Sequence, residues 1–389
     1  MPTPAPGRYF LQVPGPTIIP DRVAKAMSMP ALDHRGPVFA QMAAQISEDL
    51  KSIFKTMQPV MIFPSSGTGA WQAAMVNTLR AGDKVLIFET GHFSYLWKTI
   101  ATDLGLEVIE IGGDWRSGID ADAVGAYLEK DVQGEIKAVL AVHNETATGV
   151  TSDIPALRRV MDKTGHDALL FVDTISSLCA VDYAHDAWGV DVTICGSQKG
   201  FMLPPGLSFT VASEKALEAS RTSDLPKGYF RWEPMIEAAG NGLYPYTPPV
   251  TLFYGLRESL VLLREEGLEN VFARHARLAA ATRAAVESWG FEIQCRNPSE
   301  YSNAVTAVRL PDGHDADAYR ALVLDKFDMS LAAGLGKIAG KVFRIGHLGY
   351  MNALTLAGAL AGVEMGFEAA NIPFEKGGIL AAMEILNQD

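Results

Sequence analysis

The sequence predicts an α/β protein: a mostly parallel sheet sandwiched by helices, followed by a smaller C-terminal α+β domain. Three observations carry that expectation. Between residues 60 and 195 short apolar runs alternate with helical stretches; the runs are rich in β-branched and aromatic residues and each is too short for a helix. Five of these runs end in polar clusters, and in open α/β sheets ligands bind beyond the carboxyl ends of the strands. After about Val250 the alternation gives way to long amphipathic stretches. At 389 residues, 48% hydrophobic and 20% charged, the chain can fill one large core and a second, smaller one.

Taken in order, residues 1–20 are rich in proline and end in Pro14-Gly15-Pro16-Thr17-Ile18-Ile19-Pro20. Proline lacks the amide donor and restricts its predecessor, so this stretch reads as an extended arm. From residue 36 to about 56, Phe39, Met42, Ala43, Ile46, Leu50, Ile53 and Phe54 fall on one face of a helix. The apolar runs at 60–63, 85–88, 108–111, 138–142, 168–172 and 192–195 are the expected strands of a large domain spanning 21–255. Helices at 252–266 and 268–289 and strands at 304–310 and 342–345 belong to the change of pattern, and the small domain is expected over 256–389.

Composition excludes several function classes. The formal net charge is −12 with no dense Lys/Arg cluster, which argues against nucleic acid and against an anionic membrane as partners. Three cysteines, Cys179, Cys195 and Cys295, show no CxxC spacing, so neither a disulfide framework nor a structural metal site is expected, and a reducing cytoplasm fits. The first residues lack a basic segment leading into an apolar run, and no apolar window is long enough to span a bilayer.

The chemistry concentrates at the strand ends. Phe63 leads into Pro64-Ser65-Ser66-Gly67-Thr68-Gly69, Phe88 into Glu89-Thr90-Gly91-His92-Phe93, and Val142 into His143-Asn144-Glu145-Thr146-Ala147-Thr148-Gly149. The run at 168–172 closes on Asp173, and the next leads into Gly196-Ser197-Gln198-Lys199-Gly200. An acid and a lysine so placed are what a pyridoxal-phosphate site needs, a Schiff-base amine and a partner for the pyridine ring; each alone is also an ordinary loop lysine or helix-capping acid. Ser66, Gly67 and Thr68, between a strand and a helical stretch, offer backbone N–H groups and hydroxyls to a phosphate, or form a simple capped turn. The third glycine of a dinucleotide fingerprint is missing, which rules out that site. The later Gly334-Leu335-Gly336-Lys337-Ile338-Ala339-Gly340-Lys341-Val342 only imitates a P-loop: Val342 stands where a magnesium-binding hydroxyl is required, and the stretch reads as a flexible loop before a strand. Arg344 lies inside an apolar strand and must meet either an acid of the protein, the commoner outcome, or a ligand carboxylate. His143 and Glu145 read as a loop network rather than an acid/base pair, and Cys179 as a buried thiol rather than a nucleophile.

With these motifs in view, the chain closely resembles the class V, fold-type I aminotransferases that use pyridoxal 5'-phosphate (PLP), in particular the serine–glyoxylate and alanine–glyoxylate group. Further carriers of the resemblance are Pro14-Gly15-Pro16, Asp33-His34-Arg35, Tyr244-Pro245-Tyr246-Thr247-Pro248-Pro249, and Lys341-Val342-Phe343-Arg344-Ile345-Gly346-His347-Leu348-Gly349. The resemblance implies the PLP-dependent transferase fold. It implies Lys199 as the Schiff-base lysine and proton carrier, Asp173 at the pyridine nitrogen, Phe93 stacked on the ring and Ile175 on its opposite face. Ser66, Gly67, Thr68 and Gln198 would hold the phosphate, Thr146 or Thr148 would approach the ring hydroxyl, and Tyr244 and Thr247 would come from the neighbouring subunit of a homodimer with shared sites. Arg344 would bind the substrate carboxylate, with Arg35 and Gly15 also on the substrate side. The implied reaction moves the amino group of a small L-amino acid, serine favoured over aspartate or alanine, to glyoxylate. Arg231, in Lys227-Gly228-Tyr229-Phe230-Arg231-Trp232, departs from the pattern expected of serine enzymes and would favour a dicarboxylic donor. A PLP lyase of the cysteine desulfurase kind needs a cysteine in a mobile loop, and no cysteine here is convincingly placed for that.

Overall fold

A computed structural model describes Gly7 and residues 9–388 of the chain. Its centre is a seven-stranded sheet in the order Val60–Phe63, Ser208–Ala212, Val192–Gly196, Leu169–Asp173, Ile136–Val142, Lys84–Phe88, Glu107–Ile111. All six expected runs are in it. The seventh strand, Ser208–Ala212, was not expected: its Ser208 and Thr210 break the apolar pattern, yet both are fully buried. It runs antiparallel to both neighbours because the short 197–207 loop turns the chain straight back, with no crossover. The other six strands share one direction, so their carboxyl ends form a single edge.

Alternate residues of these strands face two apolar layers. Ile62, Leu86, Val139, Leu170 and Val172 pack with the Pro37–Phe54 and Val250–Glu266 helices on one side, while Phe63, Ile87, Leu140 and Phe171 pack with the Gly67–Thr78 and His92–Asp103 helices on the other. A sheet covered on both faces is the reason its strands read as continuous apolar runs. In the Pro37–Phe54 helix, the residues buried are the seven whose spacing marks the apolar face.

A second sheet has the order Phe10–Gln12, Met329–Ala333, Val342–Gly346, Val305–Arg309, Glu292–Ile293. It packs with the helices Leu268–Ser288, Ala316–Phe327, Ala353–Ala369 and Gly378–Leu386 around its own apolar core. Three expected features take a more definite form here. The extended arm of residues 1–20 lies partly outside the described residues, and where described it contributes Phe10–Gln12 as a parallel edge strand of the small sheet. The boundary between 255 and 256 falls inside the unbroken Val250–Glu266 helix, whose Phe253, Leu256, Leu260 and Leu263 belong to the large core. The stretch at 334–342 is no free loop: it contains the 3-10 turn Gly336–Ile338, and its base is closed by the Gly334 N–H donating to the Val342 carbonyl at 2.8 Å.

Candidate active site

The polar strand ends meet at a cavity of about 110 Å³ lined by Ser66, Gly67, Thr68, Trp71, Phe93, Asn144, Thr146, Asp173, Ile175, Ser176, Gln198 and Lys199. Two of its residues come from neighbouring parallel strands: Asp173 ends Leu169–Asp173 and pairs in register with Ile194, and Lys199 follows Val192–Gly196 by a tight turn.

Asp173 is buried, its Oδ1 accepting from the Ile175 N–H at 2.7 Å and its Oδ2 from the Trp71 indole at 3.1 Å. Burial pushes this carboxyl up to about 7, against the pull of those two donors and of Lys199. No cation forms an ion pair with it among the described residues. Lys199 is 9% exposed, and its amine donates to the Pro14 carbonyl at 2.5 Å. Burial, helped by the positive charge of Arg344, brings the amine down to about 8. The arm that supplies Pro14 is fastened here: Thr17 Oγ1 donates to the Lys199 carbonyl at 3.0 Å and the Thr17 N–H to the Gln198 carbonyl at 3.1 Å. Gly15 leaves room for the lysine stem, since a Cβ there would sit 2.3 Å from Lys199 Cδ.

The Gly67–Thr78 helix also opens onto the cavity. Its N-cap, Ser66, uses no side-chain bond to close the helix end, so the first N–H groups remain available. Gly67 packs closely here: a Cβ would lie 2.3 Å from Ile175 Cδ1 and would force that side chain to shift. The buried Gln198 Oε1 has no hydrogen-bond partner among the described residues.

Glu145, read from sequence as a loop residue, anchors one wall. Its Oε2 accepts from the Phe93 and Ser94 N–H groups at 3.0 and 3.1 Å, and its Oε1 from Ala147 at 3.0 Å. The carboxylate thus seats the N-terminus of the His92–Asp103 helix and with it Phe93. Burial raises Glu145 to about 7. Thr146 lines the cavity, whereas Thr148 is buried behind it, with Oγ1 donating to the Thr90 carbonyl at 3.4 Å.

Arg344 has no acid partner of its own among the described residues, which corrects the commoner expectation for a buried arginine. Its Nε donates to the Ala333 carbonyl and its Nη1 to the Thr146 carbonyl, each at 2.7 Å. Burial lowers the guanidinium to about 10, and Glu145 opposes that shift. The Thr146 bond places the arginine on the backbone of a cavity-lining residue.

Several expected site residues do not line this cavity. Tyr244 packs its ring against Phe39 and Phe253 of the same chain, Thr247 is exposed, and Arg35 is exposed beside Asp33. Arg231 is an exposed N-cap of the Trp232–Ala239 helix. Sequence reasoning missed Trp71, Asn144, Ser176 and the Pro14 carbonyl. Only Trp71, one turn into the helix after the Ser66-Gly67-Thr68 loop, carried a signal that could have found it.

Comparison with known proteins agrees with this geometry. The family model described as aminotransferase class-V matches residues 9–341. The chain is 47% identical to an L-aspartate–glyoxylate aminotransferase of Paracoccus denitrificans, over 97% of this chain and 96% of that one. It is 46% identical to a serine–glyoxylate aminotransferase of Methylorubrum extorquens, over 99% and 97%. A solved structure of pyridoxamine–pyruvate aminotransferase from Mesorhizobium loti superposes with a TM-score of 0.92 at 26% identity, covering 100% of this chain and 99% of that one. A family match over most of the length, on a fold that brings a buried lysine and a buried acid to one cavity, settles the assignment: the chain belongs to the class V aminotransferases.

Proposed function

We propose that this aminotransferase works with PLP and moves the amino group of a small L-amino acid, serine favoured, to glyoxylate, releasing hydroxypyruvate and glycine. The observation that carries the reading is the pair at the sheet edge, a buried carboxyl without a cation among the described residues and a buried amine held by one carbonyl, both lining one cavity. The residues fit the cofactor. The open helix N-terminus at Ser66, Gly67 and Thr68 suits a phosphate, and rotating the Gln198 amide would turn its N–H2 toward the same place. Asp173 suits a protonated pyridine nitrogen, which would supply the counter-charge it lacks.

When bound, PLP supplies an electrophilic carbon for the donor amine and a ring that takes up electrons as the Cα–H bond breaks. Around it, Phe93 and Ile175 would hold the two faces of the ring and Thr146 its hydroxyl. Lys199, once free, would carry the proton to and from the substrate Cα, and an amine brought down to about 8 by burial holds or releases a proton near neutral pH. Arg344 would take the substrate carboxylate on the guanidinium edge left by its two carbonyl bonds. Gly15 would stand beside Lys199 on the substrate side. Tyr244 and Thr247, which do not line their own cavity, would complete the site of the neighbouring subunit in a homodimer, and Arg35 would stand on the substrate side. No described helix is long and apolar enough to cross a membrane. The three cysteines are unpaired and buried, which suits the cytoplasm and gives no support to desulfurase chemistry.

Serine is favoured over aspartate because the described lining offers Asn144, Thr146 and Ser176 and no guanidinium of its own, Arg344 reaching it only through the Thr146 carbonyl, where it would be taken up by the α-carboxylate. Initial rates with serine, alanine and aspartate at fixed glyoxylate test the choice, and a preference for aspartate would overturn it. Loss of the absorbance band near the visible edge on adding donor, and its absence in Lys199→Ala, test the cofactor assignment.

A further inference from the structure

We propose that Lys337 and Glu89 form a latch that positions Arg344 for the substrate carboxylate. The proposal rests on the reading of Arg344 given above and concerns the stretch at 334–342 that only imitates a P-loop. Lys337 Nζ lies 2.5 Å from Glu89 Oε1, and the Trp115 indole donates to the same oxygen at 3.0 Å. Glu89 follows directly on the Lys84–Phe88 strand of the large sheet, whereas Lys337 sits in the Gly336–Ile338 turn between two strands of the small sheet. The pair therefore joins the two sheets beside the site.

Three contacts carry the latch through to Arg344. Trp115 of the large unit is wedged among Ala307, Ile338 and Val342 of the small one, and its carbonyl accepts from Gln294 Nε2 at 2.8 Å. Gly336 is seated on Trp115 and His92, since a Cβ there would meet Trp115 Cη2 at 2.8 Å and His92 Nδ1 at 3.4 Å; the residue after His92 is Phe93. Ala333, immediately before the loop, supplies the carbonyl that holds Arg344 Nε at 2.7 Å. A shift of the loop would move the carbonyl that aims the guanidinium.

The two ends of the latch differ in burial. The Glu89 side chain is 9% exposed and that of Lys337 is 61% exposed. A buried carboxylate deprived of its cation is costly, whereas an exposed ammonium can leave and return, so the pair is strong enough to hold the loop and open enough to release it. Burial works against the Glu89 carboxylate, but the bonds from Lys337 and Trp115 outweigh it and keep its pKa below the usual range. Lys337 acts through Arg344 and is a positioning residue.

The test uses the holoenzyme and the variants Lys337→Gln, Lys337→Arg, Glu89→Gln and Arg344→Lys. Lys337→Gln and Glu89→Gln are expected to raise KM for the amino donor about fivefold to thirtyfold with kcat changed by less than about threefold. Lys337→Arg is expected to keep KM within about twofold. Hydrogen exchange at the amides of Gly334 and Ala339, both bonded within the loop, should speed up in Lys337→Gln and slow again in Lys337→Arg. Because the Lys337 ammonium is exposed, that substitution tests the idea even where Glu89→Gln folds poorly. Unchanged KM in Lys337→Gln beside a raised KM in Arg344→Lys overturns the latch alone. Unchanged KM in Arg344→Lys overturns the assignment of Arg344, and the latch's proposed role with it.

Discussion

Replacing Arg344 by lysine keeps the charge and removes the fork, so it isolates what the guanidinium geometry contributes. A guanidinium has five N–H groups, and one on Nε and one on Nη1 already hold the carbonyls of Ala333 and Thr146. The remaining edge can meet a carboxylate with two charge-assisted bonds, each worth about 1.5–3 kcal/mol. An ammonium has three donors but no planar fork, so it meets the carboxylate with one well-aligned bond, and it does not reproduce the two carbonyl contacts that aim the group. Loss of one ligand bond with poorer aim costs about 3 kcal/mol, or about 10²-fold in kcat/KM. Steady-state kinetics should show this loss for the amino donor and for glyoxylate alike, because in the proposed role of Arg344 each would present a carboxylate to it. Arg344→Gln, which also removes the charge, should fall further, to about 10³-fold. An Arg344→Lys enzyme within about threefold of the parent for both substrates would refute the reasoning.

Other predictions follow from the same cavity. Burial that brings Lys199 from 10.5 to about 8 costs the cofactor-free protein about 3 kcal/mol at neutral pH, partly offset by about 1 kcal/mol from the Pro14 bond. Cofactor-free Lys199→Met should therefore melt higher than the parent below pH 8, and the difference should shrink as pH rises from 8 toward 10.5, where the penalty disappears; a gap that does not change with pH would contradict this. Asp173→Asn should lower kcat by about 10²–10⁴-fold, measured at saturating cofactor, because an amide cannot hold a ring proton by charge. Gly67→Ala places a Cβ 2.3 Å from Ile175 Cδ1, and should weaken PLP binding by about tenfold or more in a fluorescence titration while kcat at saturation falls less.

How much of this was legible in the sequence depended on whether a residue's job is local. Asp173 and Lys199 were visible because each stands where an apolar run ends, and the parallel pairing of their strands then forces them to one edge. Ser66, Gly67 and Thr68 were visible for the same reason. The Ser208–Ala212 strand was not, since its hydroxyls hide a burial that comes from lying between two other strands. Arg344 was half legible: a charge inside an apolar strand announces a partner, but only the fold shows that the partners are the Ala333 and Thr146 carbonyls. Trp71 could not be assigned to Asp173 across 102 positions without the sheet that brings them together.

The residues that hold the site in shape come from stretches that looked chemically idle. Glu145 seemed a poor general acid, and its two carboxylate oxygens are occupied by three backbone N–H groups, so it has little capacity left for a substrate proton. Those bonds fix Phe93 and, through the neighbouring Thr146 carbonyl, reach Arg344. The arm does comparable work on the other side: Pro14 and Thr17 hold both ends of Lys199, and the Phe10–Gln12 strand ties the arm to the sheet that carries Arg344. Amine and guanidinium are thereby each held by backbone carbonyls, Pro14 for the one and Ala333 and Thr146 for the other. Such a frame suits two half-reactions run in one site, because both substrates present a carboxylate and an amine-bearing or carbonyl carbon at the same separation, and the side chain alone distinguishes them. Donor choice then falls to the Asn144, Thr146 and Ser176 part of the lining and to whatever covers the open side of the cavity, where Tyr244 and Thr247 of a neighbouring subunit would stand.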